Sequence, residues 1–175
     1  MTPGDFGHHL LLERIGEGER IDLVADESER ARIAERLGLP SLGRLEAHAT
    51  LTRDDKCVRC EGRIRASLEQ SCVATGDPIA EHVDEAFQLL FVPAPAQGRH
   101  DDEVELAAQD CDVVFFDGGS IDLGTAIADT LALSIDPYPR SAQADSALKE
   151  AGVLSEAEAG PFAALAKLRK GGDGS

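Results

Sequence analysis

Cys57-Val58-Arg59-Cys60 sets two thiols three positions apart, the spacing of half a zinc knuckle. A second close pair is missing, because Cys72 and Cys111 come singly. The strand pattern around the pair also divides it. Side chains alternate across a strand, so an odd separation sends Cys57 and Cys60 to opposite faces. A small structural zinc module using Cys57, Cys60 and Cys72 is therefore the alternative, and the leading expectation has no metal and no cofactor. A redox pair would sit at a helix N-terminus, whereas strand patterns flank this one. His8, His9, His48, His82 and His100 lack ligand spacing, and no motif brings together a nucleophile, a base and an orienting group. The expectation is a protein that is not an enzyme, with no catalytic residues. Gly118-Gly119-Ser120 lacks the further glycines and the Lys of a phosphate-binding loop and reads as a turn and helix cap. Arg63 and Arg65 share the wet side of a strand, where they could meet a phosphate, a carboxylate or a neighbouring Glu.

The elements that must position these residues centre on residues 66–79. Ile64, Ala66, Leu68 and Cys72 alternate with Arg63, Arg65, Ser67, Glu69 and Ser71, giving one dry and one wet face. Thr75-Gly76-Asp77-Pro78 stops the strand, since Gly permits positive φ and Pro cannot donate to a ladder. Val83, Phe87, Leu89 and Phe91 then face Asp84, Ala86, Gln88 and Leu90 in a second strand. The centre is expected to be an antiparallel hairpin. Val58 and Cys60 extend the first strand backwards, with Gly62 as a place for a bend or bulge.

Upstream, residues 6–15 and 19–24 read as two short strands. A helix follows, capped by Asp26 with Glu29 at the capping-box position and ended by Gly38. Leu45, Ala47, Ala49 and Leu51 give a third strand. Downstream, residues 93–102 are a breaker-rich loop, 103–109 one short helical turn, and 112–116 a strand. Leu123, Ile127, Leu131 and Ile135 define an apolar helix that starts at Ser120 or Asp122 and ends before Pro137, expected to cover the dry face of the sheet. Residues 141–159 read as a linker, and 160–170 as a short C-terminal helix opened by Pro161.

The chain has 175 residues and is 42% hydrophobic, enough for one domain with a core. The division expected is a single α+β domain over 1–140, followed by a linker and short helix over 141–175. With no Trp and six Phe, that core must come from Leu, Ile, Val and Ala. The net charge of −16 disfavours naked RNA as a partner, because affinity for a phosphate backbone comes mainly from Lys and Arg. The excess acid either keeps the protein soluble or makes it an acidic partner for a basic protein, and charge alone does not choose between the two. No apolar run approaches 18 residues and no signal-peptide pattern stands at the N-terminus. The expected setting is the cytoplasm, with no membrane contact and with free thiols.

The turn Gln70-Ser71-Cys72-Val73-Ala74-Thr75-Gly76-Asp77-Pro78-Ile79, the 87–93 strand, Asp122-Leu123-Gly124 through Leu131-Ala132-Leu133, Pro137-Tyr138-Pro139-Arg140 and Pro161-Phe162-Ala163-Ala164-Leu165 come in an order that resembles the YceD family. Those are the large ribosomal RNA subunit accumulation proteins, and the likeness is to the alphaproteobacterial branch, over roughly residues 6–170. The resemblance implies a non-enzymatic factor in ribosome biogenesis, supporting accumulation of large-subunit ribosomal RNA. A form common in the family carries Cys-x-x-Cys at the central turn; here Cys72 takes the first place and Thr75 the second. The fold expected is α+β: a curled, mainly antiparallel sheet with one long helix packed on it and smaller N- and C-terminal helices. The expected partner is a basic ribosomal protein or a large-subunit assembly intermediate. Its candidate surface is Arg63, Arg65, Thr75, Gly76, Asp77, Pro78 and Asp122.

Overall fold

The structure is a computed structural model that describes residues 6–94 and 111–152. The helical turn expected over 103–109, the helix over 160–170 and most of the 93–102 loop lie outside those residues. The described residues form a mixed α+β fold, with mostly antiparallel sheets and three α-helices. The strands are β1 (His9–Leu11), β2 (Glu17–Val24), β3 (Ser41–Asp54), β4 (Cys57–Ser71), β5 (Pro78–Pro93), β6 (Asp112–Phe116) and β7 (Ser120–Asp122). The helices are α1 (Glu27–Leu37), α2 (Leu123–Ser134) and α3 (Ala144–Glu150). Strands β2 to β6 form one sheet in chain order, and β1 pairs antiparallel with β7 in a second.

The period-two reading of the centre holds. In β4, Val58, Cys60, Ile64, Ala66 and Leu68 are buried, while Arg59, Glu61, Arg63, Arg65 and Glu69 are exposed on the other face. Strand β5 is its neighbour across the six-residue turn from Cys72 to Asp77, too short a link for a parallel pair. The register of β3 and β4 runs unbroken past Gly62; the shift falls in β3 between Leu42 and Arg44. Gly62 instead marks a close approach: a Cβ there would collide with the His48 carbonyl oxygen and lie 2.8 Å from the Phe87 ring.

Helix α1 forms as its caps dictate. Asp26 accepts from the Glu29 amide at 2.8 Å, the Glu29 side chain accepts from the Asp26 amide at 2.9 Å, and Gly38 closes the end at φ 65°. Three expectations need correction. Residues 6–15 do not make one strand: β1 covers three residues, a 3-10 turn follows at Leu12–Arg14, and β1 pairs with β7 rather than β2. Of the two starts expected for the apolar helix, Ser120 and Asp122, the second holds. Residues Ser120–Asp122 pair with β1, and Asp122 caps α2 by accepting from the Thr125 amide at 2.9 Å. At 12 residues α2 is hardly longer than α1 with 11. Part of the expected linker is also helical, as α3, where Ala144, Ala147 and Leu148 favour a helix without a strong apolar period.

The chain divides into two compact units, Met1–Gln70 with Ala80–Pro137, and Ser71–Ile79 with Tyr138–Ser175. In the first, Leu123, Ala126, Ile127, Ala128 and Leu131 of α2 share one apolar core with the dry face of the sheet and Phe6. Gly124 sits so close to the Phe6 carbonyl that any side chain there would collide with it. In the second, the Val73 amide donates to the Pro139 carbonyl at 2.9 Å, fastening the central turn to the segment that leads into α3.

Candidate partner surface

Arg63 and Arg65 stand, as the alternation requires, on the face of β4 opposite the core. Both point at one carboxylate of β5. Arg63 donates through Nε to Asp84 Oδ1 and through NH2 to the Asp84 carbonyl at 3.2 Å, and Arg65 Nε lies 3.5 Å from Asp84 Oδ2. The Arg63 guanidinium holds the Asp84 carboxyl below the usual carboxylate range. The same outer face carries Arg44 against Glu46 at 2.6 Å and His48 against Asp22 at 2.6 Å. Three arginines of this face, Arg44, Arg63 and Arg65, are thus engaged by its own carboxylates, whereas Arg59 donates to Cys111 Sγ. That Asp84 falls on the wet side of the second strand was open to sequence reasoning; that it takes up both arginines was not.

Thr75, Gly76, Asp77 and Pro78 do come together, in the turn. Gly76 adopts φ 75° and its amide donates to the Cys72 carbonyl at 2.8 Å; the Cys72 amide donates to the Asp77 carbonyl at 2.8 Å. Thr75 Oγ1 donates to Asp77 Oδ2 at 2.6 Å and accepts from the Asp77 amide. These bonds close the turn upon itself. Cys72 is buried, and its Sγ accepts from the Ser141 amide at 3.3 Å. That amide, with the Thr75 hydroxyl next in weight, brings the thiol down to about 6.

Asp122 is placed elsewhere, at the junction of β7 and α2. Its carboxylate caps the helix, bonds Thr125 Oγ1 at 2.8 Å and lies 3.7 Å from His9 Nε2. Arg63, Arg65 and Asp122 belong to the first unit and Thr75 to Asp77 to the second.

The zinc set Cys57, Cys60 and Cys72 is not assembled. Cys57 and Cys60 lie on opposite faces of β4, and burial in the core pushes the Cys60 thiol up to about 12. Cys72 does not join Cys60 in the apolar core, as the even register had suggested, but sits in the turn of the second unit. Among the described residues, no group of three His, Cys, Asp or Glu side chains could hold a metal ion.

Gln70 is the residue that sequence reasoning missed. It occupies a dry position of β4, where its amide nitrogen donates to Glu81 Oε2 and to the Asp136 carbonyl at 3.0 Å. Glu81 Oε1 in turn accepts from the Asp136 amide at 3.2 Å. A polar residue in an apolar register was the available signal, because a buried amide must find partners.

No described helix is long and apolar enough to cross a membrane. No curated protein and no solved structure matches the chain. The family model for the large ribosomal RNA subunit accumulation protein YceD matches residues 60–169, more than half of the chain, starting within β4 rather than at residue 6. The central turn, β5, β6, β7, α2 and α3 all fall inside that match, and on it the chain belongs to the YceD family of large ribosomal RNA subunit accumulation proteins.

Proposed function

We propose that this chain supports accumulation of large-subunit ribosomal RNA by binding a basic ribosomal protein or an assembly intermediate, in the cytoplasm and without catalysing a reaction. Membership of the family supplies the process. The observation that favours a protein over naked RNA is the pairing of three arginines on the outer sheet face. Arg63 and Arg65 share Asp84, Arg44 is held by Glu46, and the chain as a whole carries −16. A phosphate backbone would have to break those pairs and approach an acidic molecule, whereas a basic protein gains from the same charge. The thiol most inclined to ionise, that of Cys72, is buried in a closed turn, which suits a structural role better than attack on a substrate.

The reading is tested by sedimenting a cell lysate through a density gradient and probing each fraction for this protein and for large-subunit RNA. Co-migration with precursor or large-subunit particles, lost at high salt, is the expected result. Protein confined to the top of the gradient under gentle conditions would overturn stable association with such particles.

A further inference from the structure

We propose that the open edge of β6 is a docking strand for an extended, basic polypeptide segment of the partner, seated in the cleft between β6 and the β7–α2 junction. The inference rests on the reading above and names the surface through which it acts. Strand β6 is the last in the order of its sheet, runs parallel to β5, and has no other strand neighbour among the described residues. An edge strand presents unpaired amides and carbonyls, and proteins usually blunt such an edge with Lys, Pro or a bulge. Asp112-Val113-Val114-Phe115-Phe116 carries no Lys, Pro or bulge, and its one charge, Asp112, stands at its start. Phe115 is 63% exposed, a large apolar ring left in solvent on that strand.

Beside this edge lies a cleft of about 300 Å³. Four consecutive residues, Val114 to Asp117, line one wall, as they would if the backbone edge itself faced the space; β7 and the first turns of α2 line the other. Val114 and Phe115 give the cleft an apolar surface, and Asp117, Asp122 and Asp129 give it acid. Two of these carboxylates have partners on neighbouring elements: the His9 ring lies 3.7 Å from Asp122, and the Arg36 guanidinium of α1 lies 2.9 Å from Asp129. Asp117 is exposed, and no cation among the described residues pairs with it. Backbone edge, exposed ring and uncompensated carboxylate together fit a strand that alternates apolar with Lys or Arg side chains. Main-chain pairing would give the affinity and the side chains the selectivity.

The test uses the full-length chain and a capped peptide of about eight residues alternating Lys and Val, with a Glu and Val peptide of equal length as control. Fluorescence anisotropy reads the affinity, and amide hydrogen exchange reads the site. The expected results are binding of the Lys peptide alone, new protection at residues 113–117, and affinity weakened by about tenfold or more in Asp117→Lys and Phe115→Ser. Both side chains are exposed, and melting curves check that each variant folds. Equal binding by wild type and both variants, protection elsewhere, or edge amides already protected in the free chain would each overturn the proposal, the last by showing that the chain covers its own edge. The gradient separates the two claims. An Asp117→Lys protein that still co-migrates with particles refutes the docking edge and leaves the functional reading intact, whereas a wild-type protein that never co-migrates refutes the reading itself.

Discussion

At the scale of single residues, the outcome depends on which polar atom stands beside which. Cys60 and Cys72 are both buried thiols, yet their surroundings drive them apart, Cys60 up to about 12 through desolvation and Cys72 down to about 6 through the Ser141 amide and the Thr75 hydroxyl. The ultraviolet absorbance of thiolate in the folded protein should therefore rise with a midpoint near 6, vanish in Cys72→Ser, and move to higher pH in Thr75→Val. An unchanged midpoint in Thr75→Val would remove the hydroxyl from the account. The same shift has a consequence for stability. An acid whose value falls from an ordinary 9.0 to about 6 on folding binds fewer protons in the native state between those limits, so its contribution is full above 9 and lost as pH falls through 6. The melting-temperature advantage of wild type over Cys72→Ser should thus grow between those pH values. None of this was legible in the sequence, because Ser141 lies 69 positions from Cys72. The Arg63 and Arg65 pair was half legible: their face followed from alternation, but not that Asp84, 21 positions on from Arg63, would take up both.

At the scale of elements, local chemistry was readable and nonlocal pairing was not. The capping box and Gly38 bounded α1, and a period of two bounded β4, because both signals act within a few residues. The start of α2 stayed open between Ser120 and Asp122 because Ile121 and Leu123 satisfy a strand and a helix equally, and only pairing with β1, more than a hundred residues earlier, decides for β7. The parallel pairing of β5 with β6 had no local signature either. Now that α2 is placed, two changes of the same kind on it should differ sharply. Leu131 is wholly buried and Leu133 is 78% exposed. Leu131→Ala should cost about 2–5 kcal/mol, and Leu133→Ala no more than about 0.5 kcal/mol, in urea unfolding. Removing the cap with Asp122→Ala should cost about 1 kcal/mol. In the sheet, Gly62→Ala should cost about 1–3 kcal/mol, since the His48 carbonyl and the Phe87 ring must both move to admit one methyl group. A Gly62→Ala protein as stable as wild type would mean that β3, β4 and β5 are less tightly drawn together there than the structure has them.

At the scale of the whole molecule, the charge acts in two directions. A chain of −16 repels itself when folded, and also attracts whatever basic surface it meets. Salt weakens both effects, since the screening length falls from about 10 Å at 0.1 M to about 3 Å at 1 M. The free protein should consequently melt at higher temperature as salt is raised, while its association with a basic partner weakens. These opposite signs decide what a loss of co-migration at high salt means. If the protein fell off particles because it unfolded, its melting temperature would fall over the same range of salt. If it dissociates because an electrostatic interface is screened, the melting temperature will rise as the co-migrating fraction drops. Paired measurements of melting and sedimentation across one salt series make that distinction. The outcome that defeats the electrostatic account is co-migration that survives high salt undiminished, which would assign the interface to apolar contacts instead.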